Sequence, residues 1–243
     1  RVEGLTRENE FEAMKFSIKK GEVLGLYGLL GAGRTEVVET IFGINKADSG
    51  KIYLNGHEVN IENSKIAVSN GIGLVPESRK EQGLVLGMSN LDNMSLAKLP
   101  QAHNYGFIKQ NEVDEIFDKY KDRLSISTTG PGQKVMNLSG GNQQKIVIGK
   151  WLCLNPDLLI LDEPTIGIDV GSKAEIHNLI AELAEKGMAV LVISSEIPEI
   201  LGVSHRIITM HQGKQTGEFT DEEVTEAKLI ESITSNAEAV CAV

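Results

Sequence analysis

The stretch from Leu138 to Pro164 constrains this chain more than any other. It opens with Leu138-Ser139-Gly140-Gly141-Asn142-Gln143-Gln144-Lys145, a polar turn leading into an amphipathic helix that carries Ile146, Ile148, Trp151 and Leu152. Asn155-Pro156-Asp157 ends that helix, and the aliphatic run Leu158-Leu159-Ile160-Leu161 follows. Large aliphatics in a row, bounded by Pro156 and Pro164, predict a strand buried on both faces. Asp162 and Glu163 then fall where the strand leaves the sheet, the end at which α/β proteins open their ligand sites. Adjacent acids at such a place are costly unless metal or phosphate chemistry uses them.

A second stretch points the same way. Glu22 to Tyr27 reads as a strand, and Gly28-Leu29-Leu30-Gly31-Ala32-Gly33-Arg34-Thr35 as a tight loop into a helix. This is the phosphate-binding pattern G-x-x-x-x-G-K-[ST] with one departure. Its glycines let successive N–H groups converge on phosphate oxygens, and the helix N-terminus adds a favourable dipole. Thr35 supplies the hydroxyl expected on Mg²⁺. The departure is Arg34 in the place of Lys: a planar fork replaces a compact point charge, so phosphate binding of altered strength is expected. A third buried run, Ile72 to Val75, leads through Pro76 to another acid, Glu77, and a fourth, Ala189 to Ser194, leads to Ser195.

The rest of the chain supports one large α/β unit. At 243 residues it can bury an ample core, and no apolar run approaches the roughly 20 residues that span a bilayer. The formal net charge of -10, with no Lys/Arg stripe, argues against a nucleic-acid binder. Only Cys153 and Cys241 are present, and the five His residues have no metal-ligand spacing; a reduced compartment is the simplest reading. Arg1 to Lys20 predicts edge strands, with Met14, Phe16 and Ile18 on one face. Gly43 stops the first helix, Ser64 to Asn70 is a short helix, and Ser78 to Leu84 is a charged loop expected to be mobile. From Ser89 to Lys150 the pattern turns helical. Lys173 to Glu185 is an amphipathic helix; Arg206 to Met210 and Lys214 to Phe219 form a hairpin through Gln212-Gly213. His205 is read as a structural residue. Asp221 to Thr234 reads as a closing helix and Ser235 to Val243 as a frayed tail.

Leu138 to Lys145 resembles the LSGGQ signature of ABC-type ATPases, and Leu158 to Glu163 their Walker B strand, with Ile168-Asp169 as a D-loop. The resemblance runs from about Glu22 to Ile233. It implies a P-loop NTPase of the ABC class: a RecA-like α/β core, an N-terminal antiparallel β subdomain and a helical subdomain inserted at roughly 89–150. It implies ATP and Mg²⁺ as cofactors. Gly28, Leu29, Leu30, Gly31, Ala32, Gly33, Arg34, Thr35 and Glu36 would line the phosphates, with Thr35, Glu77 and Asp162 around the metal and Glu163 as the base. Ser139, Gly140, Gly141, Asn142 and Asp169 would serve the nucleotide of a partner domain, since such ATPases close head to tail. Phe11 is a candidate for stacking on adenine. Glu77 and Ser195 stand where this family carries a Q-loop Gln and a switch His.

Several phrases look like the second ATPase half of bacterial ribose/galactose/xylose-type importers: Gly28 to Glu36, Val75 to Lys80, Leu138 to Lys145, and Ser194 to Leu201. In those proteins two ATPase domains share one polypeptide, and the lack of an initiator Met fits an expectation that this chain is a piece of one. Arg34 and Ser195 are what that half usually shows. The resemblance implies a second ATPase domain, membrane permease subunits and, indirectly, an extracytoplasmic sugar-binding protein as partners, with the domain on the cytoplasmic face of the cell membrane. The expected activity is ATP hydrolysis driving monosaccharide import, with a partly degenerate site of its own. Alternatives are a catalytically silent regulatory half and a nucleoside-importer ATPase.

Overall fold

The computed structural model describes residues 1–99, 103–104, 107–108, 110–220 and 223–238. Its strands are β1 (Val2–Arg7), β2 (Phe11–Phe16), β3 (Val23–Gly28), β4 (Ser49–Leu54), β5 (His57–Val59), β6 (Ile72–Val75), β7 (His103–Asn104), β8 (Phe107–Ile108), β9 (Leu158–Asp162), β10 (Ala189–Ser194), β11 (Arg206–His211) and β12 (Lys214–Thr220). Its helices are α1 (Arg34–Ile41), α2 (Ser64–Ser69), α3 (Asn90–Ser95), α4 (Gln110–Arg123), α5 (Gly140–Leu152), α6 (Val170–Glu185), α7 (Ile197–Val203) and α8 (Glu226–Glu238).

The central sheet runs β12-β11-β3-β10-β9-β6. All its neighbours pair parallel except β11 and β12, the antiparallel hairpin at one edge. The predicted aliphatic runs supply its middle. Along β9, Leu159 and Leu161 point into one apolar layer while Ile160 points into the other; along β10, Val190 and Val192 oppose Leu191 and Ile193 in the same way. That period-2 alternation fills both faces of the sheet. One layer is closed by α5, α6, α7 and α8, the other by α1 and a four-stranded antiparallel sheet, β2-β1-β4-β5. The helices α3, α4 and α5 pack against one another as the helical insertion.

The strand order explains where the site must lie. β3, β9, β10 and β6 all end on the same side, so the loop after β3, the acids after β9, Glu77 after β6 and Ser195 after β10 converge at one edge. The hairpin turn expected at Gln212-Gly213 is present, with both residues at positive φ (47° and 75°). His205 is structural as read: the Val23 N–H donates to its Nδ1 at 2.9 Å.

Three local expectations are corrected. Ser78 to Leu84 is an ordered π-helical turn, Arg79–Gly83, because Arg79 and a lysine from α5 hold its two ends. The last helix runs on to Glu238, past the expected end at Thr234, and residues 239–243 of the predicted tail lie outside the described residues. Phe11 is only 3% exposed and belongs to the core beneath the antiparallel sheet, so it has no face to offer a base.

Candidate nucleotide site

The loop after β3 is built by its glycines. Gly31 and Gly33 hold φ of 79° and 92°, values that L side chains rarely adopt. A Cβ on Gly28 would lie 2.5 Å from the Met210 carbonyl oxygen, so β11 approaches the loop only because residue 28 has none. The Ala32 N–H closes a turn onto Leu29 O (3.0 Å), and Gly213 N–H donates to Ala32 O (3.0 Å), tying the loop to the β11–β12 turn. Leu29 and Leu30 stand out from it, Leu30 being 93% exposed. Helix α1 begins at Arg34, with the acid Glu36 in its first turn, where the dipole favours it.

Thr35 and Asp162 meet. The Thr35 hydroxyl donates to Asp162 Oδ2 at 2.8 Å. Asp162 is buried at the end of β9, and its Oδ1 has no hydrogen-bond partner. Burial, with Glu77 and Glu163 adding to it against the Thr35 hydrogen bond, pushes this carboxyl up to about 7. Glu77 itself is exposed on the turn after β6, close enough for its charge to be felt at Asp162. Among the described residues no three-carboxylate cage forms here. A hydroxyl, one buried carboxylate with a free oxygen, and room for phosphate oxygens and water is the sparse donor set that suits Mg²⁺. These residues fit the ion.

Arg34 and Glu163 also meet. Both are nearly buried, and Arg34 Nη1 lies 3.3 Å from Glu163 Oε1. The charges attract, but the Nη1 hydrogen is not aligned on the carboxylate, and the nitrogen counts as buried without a hydrogen-bond acceptor. A buried donor left so is costly, and an incoming phosphate oxygen would satisfy it. Glu163 has a backbone φ of 46°, a left-handed value uncommon outside Gly. It is pinned by Glu163 N–H to Ile193 O (3.0 Å) and Ile166 N–H to Glu163 O (3.2 Å). The backbone is over-determined at this residue.

Ser195 is exposed just beyond β10, whose Ile193 is in register with Asp162 on β9. Its turn is held by a network that sequence reasoning missed. Ser194 Oγ donates to Glu199 Oε2 (2.6 Å) and accepts from the Glu196 N–H (3.0 Å), while His177 Nε2 on α6 lies 3.0 Å from Glu199 Oε1. No sequence signal joins His177 to Glu199, because the bond spans two elements.

The remaining predicted residues form a second group. Ser139 caps α5 and accepts from the Asn142 side chain (2.9 Å), whose Oδ1 accepts from Ser127 N–H (2.8 Å). Asp169 caps α6, accepting from Ser172 N–H (3.0 Å) and Ser172 Oγ (2.7 Å), and these bonds hold its carboxyl below the usual range. The two helix starts touch at Gly141, where an added Cβ would lie 2.1 Å from Ser172 Oγ and 2.5 Å from its Cβ. Gly141→Ala is therefore expected to cost about 1–3 kcal/mol of overpacking, lowering the unfolding temperature by roughly 3–10 °C. Thermal unfolding of Gly141→Ala beside Ser172→Gly and the double substitution checks it: the clash makes the double less destabilised than the sum of the two single losses. Sequence reasoning also missed Arg79, which joins this group to the first; a basic residue in a charged run looks solvated.

Residues 11–166 match the model of the ABC transporter family. The chain belongs to the ABC transporter family. It is 49% identical over 231 residues to the ribose import ATP-binding protein RbsA of Caldanaerobacter subterraneus, covering 95% of this chain and 47% of that one. It is 50% identical over 227 residues to the xylose import ATP-binding protein XylG of Moorella thermoacetica, covering 92% of this chain and 44% of that one. The chain thus spans just under half the length of each relative. The fold is that of the ADP conformation of MJ1267, an ATP-binding cassette of an ABC transporter, with a TM-score of 0.82 at 23% identity and 96% of each chain covered. A nucleotide-free ATP-binding cassette from an ABC transporter gives 0.81 at 23% identity, with 99% of this chain and 96% of that one covered. Among the described residues no helix is long and apolar enough to cross a membrane.

Proposed function

We propose that this chain is the second ATPase domain of a two-domain import subunit. In that role it binds Mg·ATP but hydrolyses it slowly, and lends its signature to the other domain's site. The observation that carries this reading is the pairing of Arg34 with Glu163 beside the Thr35–Asp162 pair. Thr35 and Asp162 are arranged to hold the ion that would neutralise developing phosphate charge. Glu163 would polarise an attacking water. Arg34 sits against that same carboxylate, so the base starts engaged, and Ser195 is too short to orient water and phosphate as a histidine would. Glu77, whose charge is felt at Asp162, would accept a hydrogen bond from a water of the ion. Ser139, exposed at the start of α5, with the half-buried Gly140 and the buried Gly141 behind it, would complete the opposite site.

The cargo reading rests on the ribose and xylose import relatives. We infer a monosaccharide importer, with membrane permease subunits, a sugar-binding protein beyond them, and the ATPase on the cytoplasmic face. Mg·ATP titration of the full-length protein, followed by turnover with and without Thr35→Ala, tests the site. Two nucleotides bound, one lost on Thr35→Ala, supports the reading; one nucleotide bound in both proteins refutes it. A catalytically silent half is distinguished by Glu163→Gln, which would then leave every rate unchanged when the other site has been inactivated.

A further inference from the structure

Arg79 touches two segments of the candidate site at once. Its Nη1 donates to Ile166 O at 2.8 Å and its Nη2 to Gly167 O at 2.9 Å, the carbonyls between Glu163 and Asp169. The same Nη2 would lie 2.9 Å from a Cβ added at Gly140, so the guanidinium is seated against the signature turn. Two residues earlier in the chain stands Glu77, whose charge reaches Asp162. The turn that carries Arg79 is itself fastened to the signature helix: Lys150 Nζ donates to Gly83 O at 2.7 Å, and a Cβ on Gly83 would lie 3.1 Å from Val147. It is a π-helical turn, a form common at functional sites. Arg79 Nε is buried with no acceptor, which a second arrangement of the turn would relieve.

A planar fork bonded to two consecutive carbonyls cannot shift without moving them. Displacement of the Glu77 turn by a bound nucleotide must therefore reach either residues 166–169 or Gly140. We propose that Arg79 is a positioning residue that couples occupancy of this domain's own nucleotide site to the signature turn it offers the opposite site. This rests on the two-domain reading above. Such coupling has the size of a typical allosteric term, about 5- to 150-fold.

The test is a double-mutant cycle in the full-length protein, reading ATP turnover, nucleotide stoichiometry and unfolding temperature together. Thr35→Ala empties this domain's site and is expected to lower turnover at the opposite site by at least about 5-fold. In an Arg79→Ala background, turnover starts low and Thr35→Ala is expected to lower it by less than about 2-fold, with two nucleotides still bound before Thr35 is changed. Arg79→Lys, which keeps the charge but can reach only one carbonyl, should give an intermediate coupling and serves if Arg79→Ala does not fold. The same fold loss on Thr35→Ala with and without Arg79 overturns the proposal, as does no loss in the parent protein despite a lost nucleotide. If Thr35→Ala removes no nucleotide, the two-domain site reading falls first, and the stoichiometry shows it. A purely structural Arg79 would lower the unfolding temperature and leave the cycle multiplicative.

Discussion

Asp162→Asn is expected to stabilise the nucleotide-free protein at pH 8 while removing magnesium-dependent nucleotide binding. The carboxyl sits at about 7 against an ordinary 3.8, because burial disfavours its charge. Between those values the folded chain holds a proton that the unfolded chain has lost, so stability falls as pH rises through this window. The contribution is fully present below about 4 and gone above about 7. The whole rise sets a ceiling of about 4 kcal/mol, of which roughly half is expected in practice, since relaxation and water soften buried charge. Asn keeps the shape and can still accept from the Thr35 hydroxyl, so at pH 8 it should raise the unfolding temperature by about 4–8 °C. At pH 4 the difference should vanish, because the aspartate is then neutral too. Magnesium needs the charged form, so in the parent protein Mg-dependent nucleotide affinity should climb about tenfold per pH unit below 7 and level off above it. Scanning calorimetry at both pH values, with Mg·ATP titrations alongside, decides the matter. An unchanged unfolding temperature at pH 8 would mean the carboxylate is already compensated; retained magnesium dependence in Asp162→Asn would place the ion elsewhere.

This prediction also marks what sequence can and cannot reveal. That Asp162 leaves a buried strand is legible, because four aliphatics bounded by prolines leave few other structures open. That Gly28, Gly31 and Gly33 shape a tight loop between strand and helix is legible too: each glycine answers a backbone demand that the structure makes explicit, a positive φ or a 2.5 Å approach. The antiparallel subdomain and the inserted helices followed from the family resemblance of those motifs, and local pattern alone does not order the strands. What stayed hidden is contact between distant elements. Arg79 sits in Ser-Arg-Lys-Glu-Gln, a run whose composition suggests solvent, yet its guanidinium is half-buried against Gly140 and Gly167. Glu199 reads as a helix-face acid and is instead a buried bridge between Ser194 and His177. Phe11 was eligible for an aromatic role by position, and only packing showed its ring turned into the core.

Arg34→Lys together with Ser195→His is expected to raise turnover at this domain's site by about 10²-fold, measured in full-length protein whose other site has been inactivated. Each substitution removes a separate handicap. Arg34 is held 3.3 Å from Glu163 in a nearly buried pair, and a charge pair at that separation is worth several kcal/mol at an effective dielectric of about 20. Reaching a phosphate means giving up part of that attraction, and keeping it means leaving the base masked. Lysine is a compact charge without the planar fork, so it can serve the phosphate without spanning to the carboxylate. Histidine at 195 extends from the exposed end of β10, beside the strand that ends on Asp162, to where an attacking water and a terminal phosphate would lie. Restoring one preorganised donor is worth roughly 10²–10³ in rate when the rest of the site is in place. The two changes act on one transition state, so neither alone should deliver the product of both. Arg34→Lys alone should act mainly on nucleotide affinity and Ser195→His alone on kcat by less than about 10-fold, with the gain appearing when they are combined. If the double substitution leaves the rate unchanged while Glu163→Gln still lowers it, the cause of slow hydrolysis lies outside these two positions, and the opposite domain's signature becomes the place to look.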